Sequence, residues 1–98
     1  MSIFNFVKTR LSIQDIVSEY VQLKQAGGYL KGRCPFHSET DASFTVSPDK
    51  QIFYCFGCHS GGDVISFISK IENLSQIEST QHLVEKYKLE IPEDLKSN

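Results

Sequence analysis

Apolar residues recur at helical spacing from Ser12 to about Leu23, where Ile13, Ile16, Val17, Tyr20 and Val21 share one face. The spacing predicts a helix there. Ser12 stands as its N-cap, and Asp15 lies three residues on, the pattern of a capping box. Gln25-Ala26-Gly27-Gly28 ends this element as a turn. The period then changes. Tyr29 to Arg33 reads as a strand, and Ser43 to Ser47 alternates with Phe44 and Val46 on one side. Ser47-Pro48-Asp49-Lys50 is a turn, because proline presets φ and aspartate bonds the backbone beyond it. Gln51 to Tyr54 returns as the hairpin partner, with Phe53 facing one way beside Cys55 and Ile52 and Tyr54 facing the other.

Helical spacing resumes after a bend at Ser60-Gly61-Gly62. Asp63 is placed to cap a helix whose stripe is Val64, Phe67, Ile68 and Ile71. Asn73-Leu74 breaks it. Ser75 and Glu78 form a second capping box, opening a helix to about Lys88 with Ile77, Leu83, Val84 and Tyr87 inward. Ile91-Pro92 stops that helix. Residues 1–11 carry Phe4, Phe6, Val7 and Leu11 interrupted by Asn5, Lys8 and Arg10, an amphipathic element without the apolar core of a signal peptide. The fold class expected is α+β, a small antiparallel β-sheet flanked by helices. One domain is expected over residues 1–92, with 93–98 as the start of a linker.

Four residues change this picture from shape to chemistry. Cys34 and His37 read C-x2-H; seventeen residues later Cys55 and Cys58 read C-x2-C. Three thiolates and an imidazole in two close pairs specify a tetrahedral zinc ion, one structural Zn²⁺ with no position left for water. Gly57 suits the positive φ that a tight ligand turn demands. A chain of 98 residues has a small core, and in peptide models zinc contributes about 10–16 kcal/mol, enough to decide whether such a region folds. Three cysteines argue against a disulfide framework and for a reducing, cytoplasmic setting. Cys55-Phe56-Gly57-Cys58-His59 also matches the c-type haem pattern C-x-x-C-H, but haem leaves Cys34 and His37 unexplained and requires export. His59 could replace His37 as a ligand only by straining the turn after Cys58.

Charge is less decisive. The net value is −2, which excludes a strongly basic duplex binder, yet residues 1–58 hold six Lys/Arg against five Asp/Glu while 59–98 hold four against seven. Any nucleic-acid face therefore belongs to the first part. There Tyr29, Phe36, Phe44, Phe53, Tyr54 and Phe56 interleave with Lys31, Arg33 and Lys50. Rings that stack bases and cations that hold phosphates make a single-strand platform. Phe36, Phe44 and Phe53 are expected to serve mainly the core. Tyr54, Lys31, Arg33 and Lys50 are the better contacts, with Phe44 kept as a further contact candidate. No paired carboxylates, P-loop or activated serine appears, so no catalytic residue is assigned. No apolar run approaches a membrane span, so no membrane contact is expected.

The quoted residues resemble a family. Cys34-Pro35-Phe36-His37, Ser43-Phe44-Thr45-Val46, Tyr54-Cys55-Phe56-Gly57-Cys58 and Gly61-Gly62-Asp63-Val64-Ile65-Ser66-Phe67 are similar to the N-terminal zinc-binding domain of bacterial DNA primase, from about Ser12 to Pro92. The resemblance implies a zinc ribbon that recognises single-stranded template DNA where primers begin. It implies a linker to a catalytic RNA-polymerase domain, acting in the same or a neighbouring primase. It also implies the replicative helicase as a partner of the whole protein and a place in the bacterial replisome. Two departures stand out. Glu39-Thr40-Asp41-Ala42 replaces the family's Glu-Lys-Thr-Pro, losing a cation and gaining an anion, and His59 stands where glycine is common after the last cysteine. Rival readings are a zinc module that docks on a polymerase core or another protein, and a small stand-alone replication protein.

Overall fold

The computed structural model describes residues 2–36 and 43–95. Five strands form one antiparallel sheet in the order β1-β2-β3-β4-β5. They are β1 Lys24–Ala26, β2 Tyr29–Gly32, β3 Phe44–Ser47, β4 Ile52–Cys55 and β5 Ser60–Gly62. Each strand pairs with its sequence neighbour, so the sheet is a simple meander. Helices α1 Ile3–Arg10, α2 Ile13–Val17, α3 Val64–Ile71 and α4 Gln76–Lys86 complete the fold, and Glu93–Leu95 adds a 3-10 turn whose Leu95 packs against the core.

Alternation on β3 and β4 decides what lies inside. Phe44, Val46, Phe53 and Cys55 are buried, and α3 covers them with Phe67 and Ile68. Phe44 and Phe53 stack with centroids 5.6 Å apart, and Phe36 and Phe67 close the cluster edge-on or tilted at 5.6–6.1 Å. Such rings contribute both area and specific geometry.

Local structure departs from the sequence reading in four places. The helix expected over Ser12–Leu23 ends at Val17, and Lys24–Ala26 forms the edge strand β1 where a turn was expected. The Ser12 side chain makes no cap bond; instead Gln51 Oε1, from the β3–β4 hairpin, accepts the Ile13 N–H at 2.8 Å. A long-range side chain replaced the local cap, which neighbouring sequence does not reveal. The expected bend at Ser60–Gly62 pairs with β4 as a fifth strand. Finally, Ile77 is 62% exposed in the first turn of α4, while Ser79 and Thr80 are buried. Their hydroxyls donate to the Ser75 and Gln76 carbonyls at 2.7 and 2.9 Å, so burial leaves neither unsatisfied.

The remaining caps follow the sequence. Asp63 accepts from Ser66 N at 2.9 Å, and the Ser75–Glu78 box has both arms, at 3.1 and 3.0 Å. Asn73 and Lys88, at φ 56° and 54°, end α3 and α4 in left-handed turns; Leu74 N reaches Ser69 O and Leu89 N reaches Val84 O at 3.0 Å each.

Candidate metal centre and sheet face

Strand geometry gathers the cysteines. Cys34 follows β2, Cys55 ends β4, and Cys58 lies on the turn into β5. Gly32 and Cys55 both sit opposite Phe44 across β3, which brings the ends of β2 and β4 to one edge. The three sulfurs lie within 4.8 Å of one another, and Cys34 Sγ is 3.8 Å from Cys58 Sγ. Two thiolates on a tetrahedral zinc stand about 3.8 Å apart, given a Zn–S bond of about 2.3 Å. The cluster therefore fits the ion. Burial pushes the Cys34 thiol up to about 12, and the Cys55 and Cys58 thiols add to that against the Phe36 backbone N–H. Without a cation the Cys34 thiol holds its proton; a divalent ion reverses that preference. Ser43 Oγ lies 3.6 Å from Cys55 Sγ and Ser60 Oγ 3.4 Å from Cys58 Sγ, placed to support metal-bound sulfur.

His37 and the segment 38–42, with its departures from the family pattern, lie outside the described residues. His59 does not join the cysteine group. Its Nδ1 lies 3.2 Å from the Tyr54 hydroxyl. It also takes the positive φ of 58° that was expected at Gly57, which explains why glycine suits the position after Cys58.

The other sheet face is built by register. Lys24 opposes Lys31, Lys31 opposes Thr45, Thr45 opposes Tyr54 and Tyr54 opposes Gly61, so one row crosses all five strands. Gly61 has a steric reason: a Cβ there would meet Tyr54 Cδ1 at 2.8 Å and Phe53 O at 3.0 Å. The Tyr54 ring packs edge-on to Phe56 at 4.9 Å, and Phe56 is 64% exposed. Tyr29 and Ile52 are also exposed on this sheet.

Lys31 and Arg33 are exposed, and Lys50 is exposed at the hairpin tip, at the opposite end of β4 from the cysteines. Tyr54 is half-buried. Phe44 is a correction: it is fully buried between Phe36, Phe53 and Phe67 and offers no face to a base. The inward alternation of Ser43–Ser47 already carried that signal. Lys24, Tyr29 and Phe56 join the exposed set. Lys24 escaped selection because it fell between the helix expected to about Leu23 and the turn expected at Gln25-Ala26-Gly27-Gly28.

A CHC2 zinc finger model matches residues 1–98. This chain belongs to the CHC2 zinc finger family. The CHC2 chain is 41% identical over 87 residues to a DNA primase of Halalkalibacterium halodurans, covering 89% of this chain and 14% of that protein. A Rickettsia conorii DNA primase is 47% identical over 89 residues, covering 91% and 15%. A Staphylococcus aureus DNA primase is 49% identical over 82 residues, covering 84% and 14%. The crystal structure of the Aquifex aeolicus primase, comprising zinc-binding and RNA polymerase domains, matches with a TM-score of 0.87 and 38% identity, covering 99% of this chain and 24% of that one. The chain thus spans about one seventh of the curated relatives it matches. Its fold is that of a primase zinc-binding domain, and the Cys34–Cys55–Cys58 cluster is its zinc site. Among the described residues no helix is long and apolar enough to cross a membrane.

Proposed function

We propose that this CHC2 domain binds single-stranded template DNA on its outer sheet face and helps select the sites where RNA primers are started in DNA replication. One observation carries the reading: the register sets the half-buried ring of Tyr54 on the same face as exposed Lys31, and the exposed ring of Phe56 packs edge-on to Tyr54. Bases stack on such rings, and phosphates are held by the cations Lys31, Arg33 and Lys50. His37 is the fourth zinc ligand in this proposal, completing Cys34, Cys55 and Cys58. The metal fixes the ends of β2 and β4, so it orients the face without touching DNA.

The likeness to proteins named DNA primase supports the wider setting. In that setting the domain serves a catalytic RNA-polymerase domain, in the same or a neighbouring protein, within the cytoplasmic replisome. The replicative helicase is then a partner of the whole protein.

A second reading is favoured by the exposed apolar groups Tyr29, Ile52 and Phe56: the sheet docks on the polymerase core or another protein. NMR titration of the zinc-loaded domain with short single-stranded DNA separates the two. Template binding gives salt-sensitive shifts at Lys31, Arg33, Lys50 and Tyr54, and charge reversal at Arg33 or Lys50 weakens them with zinc retained. No shift at millimolar DNA overturns template reading by this domain and leaves protein docking.

A further inference from the structure

His59 adopts φ 58°, a left-handed conformation that costs a residue with a Cβ more than it costs glycine. Its N–H closes the ligand turn by donating to the Cys55 carbonyl at 2.8 Å, a bond that glycine would make equally well. Its exposed ring stays out of the cysteine group. The side chain therefore serves neither the turn nor the cluster. Its polar contact is with the outer sheet face, where Nδ1 lies 3.2 Å from the Tyr54 hydroxyl and the two rings meet edge-on at 6.5 Å.

That contact completes a seat for the Tyr54 ring. Against one side lies Gly61, where a Cβ would meet Tyr54 Cδ1 at 2.8 Å. Phe56 packs on it at 4.9 Å with the ring planes 72° apart. His59 holds the hydroxyl at the far tip. The strand beneath is fixed as well, because Thr45 Oγ1 donates to the Tyr54 carbonyl at 3.0 Å. A base stacks on a ring already held in place without the ordering cost that a free side chain adds to binding.

We infer, on the template reading above, that His59 is a positioning residue for base stacking: through the Tyr54 hydroxyl it holds the Tyr54 ring against Phe56, ready for a base of the single strand. His59 acts through Tyr54 and needs no contact with DNA. The turn that carries Cys58 thereby also sets the stacking surface, since His59 is the next residue.

The test compares binding of oligo-dT and of an abasic oligonucleotide of equal length to the zinc-loaded domain. His59→Gly is expected to bind oligo-dT about three- to tenfold more weakly, the effect of one lost hydrogen bond, and the abasic strand unchanged. Tyr54→Phe removes the same bond from its other end and is expected to give the same loss, with the double variant no weaker than either. Glycine relieves the positive φ, so zinc content and thermal stability are expected to hold in His59→Gly, and weaker binding there is not unfolding. In the free domain the Tyr54 Cζ resonance, which senses the hydroxyl's partner, is expected to move in the same variant. An unmoved Cζ, an unchanged oligo-dT affinity, or losses that add in the double variant would overturn the role of His59 and leave the template reading standing. So would an equal loss for the abasic strand, since His59 would then act on phosphates. Equal binding of both strands by the unaltered domain would instead overturn base stacking at this face, and the positioning role with it.

Discussion

Gln51 caps a helix that is 38 residues away: its Oε1 accepts the Ile13 N–H at 2.8 Å. Its Nε2 donates to Gln14 Oε1 at 3.0 Å and to Pro48 O at 2.7 Å. One side chain therefore fixes the hairpin tip to α2. The residue does so from φ 56°, a conformation that costs a non-glycine residue about 1–2 kcal/mol. Gln51→Ala is expected to lose about 1–2 kcal/mol of stability, as for a lost helix cap. Gln51→Gly is expected to lose less, because it relieves the backbone. Denaturant unfolding of the zinc-loaded protein reads both; equal losses would show that the backbone carries no strain there.

The cysteine cluster ties metal affinity to acid. Burial pushes the Cys34 thiol up to about 12, so zinc must displace protons to bind. Zinc binding in weakly buffered solution is expected to acidify it, and affinity is expected to fall as pH drops. Chelation of the ion is expected to abolish cooperative unfolding. A cooperative thermal transition that survives complete zinc removal would refute the structural role of the metal.

Asp63 predicts a second acid effect, of smaller size. Burial works against its ionised form, but the Ser66 N–H and the Lys8 ammonium at 3.3 Å outweigh it and hold the carboxyl below the usual aspartate range. The folded value is thus lower than the unfolded one. The stabilisation is fully present above the ordinary aspartate pKa, about 3.9, and is lost as pH falls through the lower folded value. Asp63→Ala is expected to cost about 1 kcal/mol at neutral pH, mostly as a lost cap, because the pair with Lys8 is partly exposed. Asp63→Asn keeps the cap and is expected to flatten the acid limb of the stability profile; an unchanged limb would assign the effect elsewhere.

His82 offers a stabilising change. Its Nε2 is buried without a hydrogen-bond partner among the described residues. Leaving a polar atom in that state costs about 1–3 kcal/mol. His82→Leu is expected to raise stability by about 1 kcal/mol with zinc content unaltered. A drop in stability would show that the ring's shape matters more than its unpaired nitrogen.

Much of this molecule was legible in the sequence, for identifiable reasons. Alternation over Phe44–Val46 and Phe53–Cys55 set the inner face, and short-range caps at Asp63 and Ser75 set two helix starts. Ligand spacing carried the cysteine centre because two turns suffice to build it. What sequence did not reveal depends on pairing at a distance. Lys24–Ala26 became a strand because β2 offered it partners, overriding the helical period that led into it. Gln51, not Ser12, caps α2, and Gly61 serves Tyr54 on the next strand. Phe44 was both a core candidate and a contact candidate, and its burial resolves that in favour of the core.

Cys34 follows β2 and Cys55 ends β4, the two strands that flank Phe44, so an ion held by these cysteines would tie the ends of both strands beside the aromatic core. Cavity packing and ligand exchange thus belong to one equilibrium. The domain's melting temperature is then not a fixed property of the polypeptide. Above the dissociation constant, each tenfold rise in free zinc is expected to add about 1.4 kcal/mol to its stability. A cell that buffers zinc tightly would, by the same linkage, set how long the outer sheet face keeps its shape.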